Sequence, residues 1–454
     1  MALESSNPAT GELLETFDEW SPGKTRETLA AVNLAWRDWR QTSFGERSDK
    51  IRRAAQVLRR NKDEYARIMA LEMGKPITGG RAEIEKCAWV CEYYAEQAAT
   101  MLAEEPAQSD GSRAYVAFRP LGTILGIMPW NFPFWQVFRF AVPALMAGNT
   151  GVLKHSSNVP RCALAIEDIF RRAGFAENVF RTLLIGAKQV EAVIENELIK
   201  ALTLTGSDAA GRKVAAHAGE MLKKVVLELG GSDPFIVLAD ADVEESAETA
   251  ARSRCLNSGQ SCIAAKRFII ETDIYDKWLE KFRQAMAALV VGDPLEEQTQ
   301  IGPQAREDLM LKLHGQVESS IAKGAELLLG GRPLQRKGYF YPPTILTEVK
   351  PGMPAFHEEF FGPVAAVIRV RDAEEAIEVA NATQFGLGCS VWTRNSEKGE
   401  AMAARIDAGA VFINDLVKSD PRLPFGGVKN SGVGRELSHY GIKQFVNIQT
   451  VWVK

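Results

Sequence analysis

From about residue 26 to 105 the apolar positions recur at helical spacing, which predicts a mostly helical stretch broken at "TSFGERS" and "MGKPITGG". Beyond it, "AYVAFRPLGTILGIM" carries short β-rich runs around Pro120 and Gly122. The pattern then becomes strand, loop, helix, repeated. "GVLK" (151–154) leads to a helix from about 159, "ALTLTG" (201–206) to one from about 208, and "KVVLELGG" (224–231) ends in the pair Gly230-Gly231. A second series follows in "PFIVL", a helix over about 242–256, "RFII" and a helix over about 275–290. Later come "AAVIRV", "EEAIEVANAT", "SVWT" and "GAVFIN". Such alternation predicts α/β architecture with parallel sheets. Two series separated by a glycine pair predict two α/β domains with a cleft between them. The C-terminal "KQFVNIQTVWVK" is β-rich and free to pair with an exposed strand elsewhere. There is no internal repeat and no low-complexity tract.

Composition narrows the class. The chain has 454 residues, 46% hydrophobic and 25% charged, ordinary for a soluble globular protein but too long for one core. A formal net charge of −4 makes no electrostatic case for nucleic acid or an anionic membrane. No run approaches the roughly 18 apolar residues a membrane span needs, and "MALESSNPATGELLETF" lacks a signal pattern. Six scattered cysteines form no disulfide framework, which points to a reducing cytoplasm. Cys87 and Cys91 have no histidine or second pair nearby, so no metal is expected.

Chemistry concentrates in "CLNSGQSCIAAKRF" (255–268). Cys255 ends an apolar-periodic segment and reads as core. Cys262 follows Asn257, Ser258, Gly259, Gln260 and Ser261, a small polar run that predicts a loop presenting the sulfur to a cleft. The phosphate-binding fingerprint G-x-G-x-x-G is absent. "TLTGSDAAGRKV" instead carries a strand into Gly206, Ser207 and Gly211 at a helix start, where backbone N–H groups suit a pyrophosphate. Taken alone, such a turn is more often structural.

"IMPWNFP" (127–133), "LKHSSNVP" (153–160), "LTGSDAAG" (204–211), "LELGGSDP" (227–234), "GQSC" (259–262), "EEFFGPV" (358–364) and "PFGGVKNSGVGRE" (424–436) occur in the order found in the aldehyde dehydrogenase superfamily. From "NPATGE" (7–12) to the C-terminus the chain resembles that superfamily, and within it the succinate-semialdehyde dehydrogenases. The resemblance implies a Rossmann-type cofactor domain over 1–101 and 121–230 and an α/β catalytic domain over 231–436. It also implies a small bridging β sheet, an oligomerisation element over 102–120 and 437–454, and a homodimer or homotetramer.

The resemblance also assigns roles. Cys262 matches the nucleophile, adding to the aldehyde carbon so that a tetrahedral hemithioacetal expels hydride. Asn131 matches the donor to the developing oxyanion, with the Cys262 backbone N–H. Glu228 matches the general base for thioester hydrolysis. Glu359 matches the ribose-binding residue at the nicotinamide, with Phe361 beside the ring, Trp130 lining the cleft and Lys154 at the adenosine ribose. Arg139, eight residues after Asn131 on an apolar helix, and Ser419 match contacts to a distal carboxylate, while Trp135 narrows the tunnel. The competing reading of Arg139 is a salt bridge to another helix. Some members carry a second arginine where this chain has Leu256.

Ser157 stands three residues after Lys154, where many NAD-dependent members carry a glutamate. A neutral hydroxyl beside a lysine suits a 2′-phosphate, so NADP is expected, with NAD accepted weakly. The implied reaction is oxidation of succinate semialdehyde to succinate. Alternatives are another short aldehyde such as glutarate semialdehyde and a non-catalytic descendant of the fold. A cysteine hydrolase is disfavoured because the five histidines form no thiol-enzyme motif. A CoA-acylating relative is disfavoured by Glu228.

Overall fold

The computed structural model describes residues 2–454. Helices Pro22–Trp39, Phe44–Arg60, Lys62–Met73 and Ile77–Met101 fill the region predicted helical. Both expected breaks occur, but they are narrower than the sequence suggests. Ser43 caps one helix through a reciprocal bond with Glu46, so "GERS" is its first turn rather than a loop. Gly74, at φ 77°, ends another. A hairpin at the start, Ala2–Asn7 with Glu12–Asp18, was not expected: its short strands alternate weakly and draw their order from packing on the helices.

The first strand–helix series forms a six-stranded sheet. Its order is Gly432–Val433, Lys224–Glu228, Ile199–Thr205, Thr123–Met128, Thr150–His155, Phe180–Thr182. All neighbours are parallel except the first pair. The strand order doubles back on either side of Thr123–Met128, and the loops there leave the carboxyl ends of the strands, the usual place for a ligand crevice. The second series forms a seven-stranded sheet centred on Pro234–Val237 and Arg267–Glu271, parallel except at its Glu326–Leu329 edge. These central strands are buried on both faces, which explains their unbroken apolar runs.

The C-terminal strand Val446–Val453 pairs antiparallel with Arg113–Pro120, and Glu105–Ala107 completes a three-stranded sheet. Residues 432–433 rejoin the six-stranded sheet, and helix Ser438–Ile442 packs on helices Ile77–Met101 and Trp135–Met146. No helix among the described residues is long and apolar enough to cross a membrane.

Candidate active site

Helix Val243–Cys255 is capped by Asp242 and ends at Leu256. The backbone then passes through the left-handed region at Asn257 (φ 54°), Ser258 (φ 58°) and Gly259 (φ 75°). A non-glycine residue held there costs about 1–3 kcal/mol, so the surroundings must impose the conformation. Only glycine fits at 259, where a Cβ would lie 2.2 Å from the Gly362 carbonyl carbon. Asn257 Nδ2 donates to the Asn131 carbonyl at 2.7 Å, and Arg254 donates to the Gly259 carbonyl at 2.7 Å. Buried Lys266 donates to the carbonyls of Ser261, Cys262 and Ala264 at 3.0, 2.7 and 3.0 Å. A single ammonium therefore gathers the loop that carries Cys262.

Cys262 is half-buried, and with Gln136 it belongs to the walls of two cavities. The first, of about 400 Å³, is lined by Phe132, Trp135, Leu256, Ile263, Leu289, Ile301, Val417 and Phe425 among others. Its charged groups are mostly neutralised in place. Lys75 pairs with Glu83, whose other oxygen accepts from the Phe134 and Trp135 N–H groups at 2.9 Å. That carboxylate thus fixes the start of helix Trp135–Met146, which has no cap of its own. Lys418 pairs with Asp415. Ser419 is buried and accepts from Lys86 Nζ at 2.7 Å.

The second cavity, of about 350 Å³, opens on the other side of the sulfur. Trp130 and Asn131 follow strand Thr123–Met128, Gly206 and Ser207 follow strand Ile199–Thr205, and Gly230 follows Lys224–Glu228. Ser207 caps helix Asp208–Glu220. Trp130 and Phe361 meet edge to face with centroids 5.7 Å apart. Glu359 accepts from the Gly231 N–H at 3.1 Å and stands 3.7 Å from Lys266. A side chain at Gly230 would strike the Glu359 carboxylate at 2.5 Å. A helix N-terminus, a ribose-sized carboxylate acceptor and two aromatic edges together fit a dinucleotide.

Burial pushes the Cys262 thiol up to about 12, against the pull of Lys266 and Arg139. The resting sulfur is a thiol at neutral pH. Asn131 Nδ2 donates to the Gln260 carbonyl at 3.0 Å, and its oxygen accepts from Gln136 Nε2 at 3.2 Å. This fixes which way the amide faces and leaves its second N–H unassigned.

Residues 1–451 match the family model described as the aldehyde dehydrogenase family. The chain belongs to the aldehyde dehydrogenase family. A Synechocystis relative named a probable succinate-semialdehyde dehydrogenase [NADP(+)] is 50% identical, with both chains covered completely. A Mycobacterium tuberculosis relative, succinate-semialdehyde dehydrogenase [NADP(+)] 1, is 49% identical with the same coverage. The solved succinic semialdehyde dehydrogenase of Streptococcus pyogenes, in complex with NADP+, is 37% identical with TM-score 0.97, covering both chains completely.

In this aldehyde dehydrogenase the structure gathers Cys262, Asn131, Trp130, Gly206, Ser207, Glu359 and Phe361 around one cleft, and Trp135, Arg139 and Ser419 around the cavity behind it. Four residues sit otherwise than the sequence suggests. Gly211 is buried with its Cα against Leu229, where a Cβ would meet the side chain at 2.5 Å. It allows helix and strand to pack and lies outside the cleft. Lys154 and Ser157, at the end of strand Thr150–His155, are outside the lining of either cavity at Cys262. Ser157 is exposed and borders a separate depression with Glu72, Asn158 and Arg306.

Glu228 also faces neither cavity. Both its oxygens are buried without hydrogen-bond partners, and they point toward Gly426. Burial holds its pKa well above the usual carboxylate range, opposed first by Arg139.

Arg139 has resident partners as well as a place on the cavity wall. It lines the cavity, but its Nε is ion-paired with buried Glu436, and Nη2 donates to Thr205 Oγ1 at 3.2 Å. Its guanidinium lies 4.6 Å over the Phe425 ring. An arginine this deeply buried needs a resident anion, so the ion pair and a place on the cavity wall occur together. Three residues that sequence reasoning missed are Lys266, Glu83 and Lys86. Glu83 and Lys86 lie in the charged run "RAEIEK" (81–86) and Lys266 stands beside Arg267, and nothing local singles them out.

Proposed function

We propose that the protein oxidises succinate semialdehyde to succinate with NADP+ as acceptor. The observation that carries this is Cys262 standing on the wall between two cavities: one is apolar with a cation in it, the other is built from strand ends and a helix N-terminus. The names of the relatives agree with it.

The Cys262 sulfur, once deprotonated, adds to the aldehyde carbon. The oxyanion that forms meets the Asn131 amide, a preorganised donor of a kind worth about 3–4 kcal/mol. The bound nicotinamide would take the hydride from this carbon. The product on the sulfur is a thioester. Glu228 must turn from its buried resting place, and it accepts a proton from the attacking water only as the carboxylate. Glu359, Phe361 and Trp130 would hold the nicotinamide end, and Gly206 with Ser207 the pyrophosphate. Lys154 and Ser157 would reach the adenosine end from the neighbouring strand.

In this reading residues 1–101 and 121–230 form the cofactor domain and 231–436 the catalytic domain. The sheet from 102–120 and 437–454 bridges subunits of a homodimer or homotetramer. Exposed Ile448 and Trp452 on its edge strand support that role. The six cysteines are all unpaired, which suits a reducing cytoplasm.

The test is absorbance at 340 nm. Succinate semialdehyde with NADP+ should give a steady rise without coenzyme A. No rise, or a rise requiring coenzyme A, overturns the reading.

A further inference from the structure

Helix Trp135–Met146 is buried along its whole length, and apart from the Trp135 indole its polar side chains are Gln136 and Arg139. Arg139 is paired with Glu436. Gln136 makes a single side-chain hydrogen bond, from Nε2 to Asn131 Oδ1 at 3.2 Å. Its own Oε1 is buried and meets no donor among the described residues. A methionine or leucine would fill the same space with no unpaired carbonyl. An unpaired buried acceptor is destabilising, and one beside a nucleophile calls for a reason in the chemistry.

The first turn of the helix aims this side chain. The Gln136 N–H donates to the Phe132 carbonyl at 3.1 Å, and the Phe134 and Trp135 N–H groups just before it are fixed by Glu83. Gln136 lines both cavities that meet at Cys262. On Asn131 the two ends of the amide are held from different directions. Nδ2 donates to the Gln260 carbonyl at 3.0 Å, an oxygen that also accepts from Asn257 Nδ2 at 3.1 Å. Oδ1 accepts from Gln136.

From this arrangement we infer that Gln136 is the positioning residue of the oxyanion donor: its amide holds the Asn131 side chain with one N–H turned to the reacting carbonyl oxygen beside Cys262. One hydrogen bond has two effects. Anchoring Oδ1 stops the Asn131 amide from rotating, so the donor is in place before charge develops. Accepting at Oδ1 also polarises the amide and strengthens its N–H groups as donors. Gln136 serves in one orientation only. Turned over, it would set Oε1 against Asn131 Oδ1, acceptor facing acceptor.

This assignment rests on the proposed oxidation, and the experiment separates the two. The first turnover of NADPH formation with saturating succinate semialdehyde is followed by stopped-flow absorbance in the unmodified protein, Gln136→Met, Asn131→Ala and the double variant. Alkylation of Cys262 by iodoacetamide, in which the sulfur displaces iodide and no oxyanion forms, is measured in the same proteins. Losing an oxyanion donor outright costs about 10²–10³-fold. Gln136→Met leaves the donor but frees it, so the first turnover should slow at least about tenfold, while KM and the alkylation rate change less than about threefold. In the Asn131→Ala background the same substitution should change the first turnover less than about twofold, because a residue acting only through its neighbour is fully coupled to it. If Gln136→Met does not fold, Gln136→Leu makes the same comparison. A slowing that persists in the Asn131→Ala background, a parallel fall in alkylation, or no slowing at all overturns the role of Gln136. An unmodified protein that forms no NADPH with succinate semialdehyde overturns the substrate reading, and the assignment falls with it.

Discussion

The two cavities that meet at Cys262 are built in opposite ways. The cleft on the Trp130 side is made of strand ends. Trp130, Asn131, Gly206, Ser207 and Gly230 sit one to three residues past a parallel strand, in turns whose shape follows from local sequence, while Glu359 and Phe361 come from the segment just before strand Val364–Val370. The cavity on the Trp135 side gathers side chains from helix Ile77–Met101, helix Trp135–Met146, the loop around 255–263 and the segment 416–425. Its charges are balanced across those elements rather than within them. Glu83 alone joins three parts, pairing with Lys75 and bonding the start of the helix that bears Trp135. A cleft of strand ends can accept one cofactor across many enzymes. A cavity assembled from distant side chains can change its specificity by moving one charge.

If both cavities serve a single sulfur, removing it should abolish function on both sides. Cys262→Ala is expected to lower kcat at least a thousandfold, in the range of nucleophile deletions, with an unchanged thermal midpoint. Turnover within tenfold of the unmodified protein would break the scheme. Next in size is Glu228→Gln. It should give a burst of about one NADPH per site followed by turnover slowed about 10²–10³-fold, as expected for a lost general base. In the unmodified protein burial raises the Glu228 pKa, and only the carboxylate is a base. Hydrolysis should therefore accelerate as pH rises, and in the glutamine variant that limb should vanish. A rate of thioester cleavage that is flat with pH would assign the base elsewhere.

Arg139→Ala tests whether the cation paired with Glu436 acts on structure alone. Removing it strands the Glu436 carboxylate in the interior, which costs about 3–5 kcal/mol, to be read by urea unfolding. Its effect on kcat/KM should be the same for succinate semialdehyde and butanal. A selective loss with the acidic aldehyde would return Arg139 to the substrate site.

On the cleft side, Ser157→Glu places a carboxylate near Lys154. Unit charges at 4 Å and an effective dielectric near 20 interact by about 4 kcal/mol, but Ser157 is exposed and solvent weakens this. The ratio of kcat/KM for NADP+ over NAD+ should fall about tenfold, and an unchanged ratio would remove Ser157 from the cofactor's reach. The smallest effect belongs to Cys255→Ala. Cys255 is buried with its sulfur 3.6 Å from Met286 Sδ, so stability should drop by about 1–2 kcal/mol while kcat stays within twofold. A loss of activity there would mean that this thiol, which also borders the substrate-side cavity, takes part in the chemistry.

What the sequence by itself determined is the part whose physics is local. Alternating strand and helix signals yield the parallel sheets, and the turns after the strands at 128, 205 and 228 carry motifs short enough to read directly. The polar run before Cys262 marks it as presented and Cys255 as packed. Only the tertiary structure decided which charges are spoken for. Arg139 is the one charge on an apolar helix and Lys86 one of several on a mixed helix, and neither pattern names a partner. One meets Glu436, nearly three hundred residues away in the chain, and the other meets a hydroxyl and a ring. Glu228 lies at the end of a readable strand, yet its carboxyl lies against Gly426, from a distant part of the chain. Burial and partnership set the state of an ionisable group, and both are properties of elements brought together by the fold rather than of neighbours in the chain.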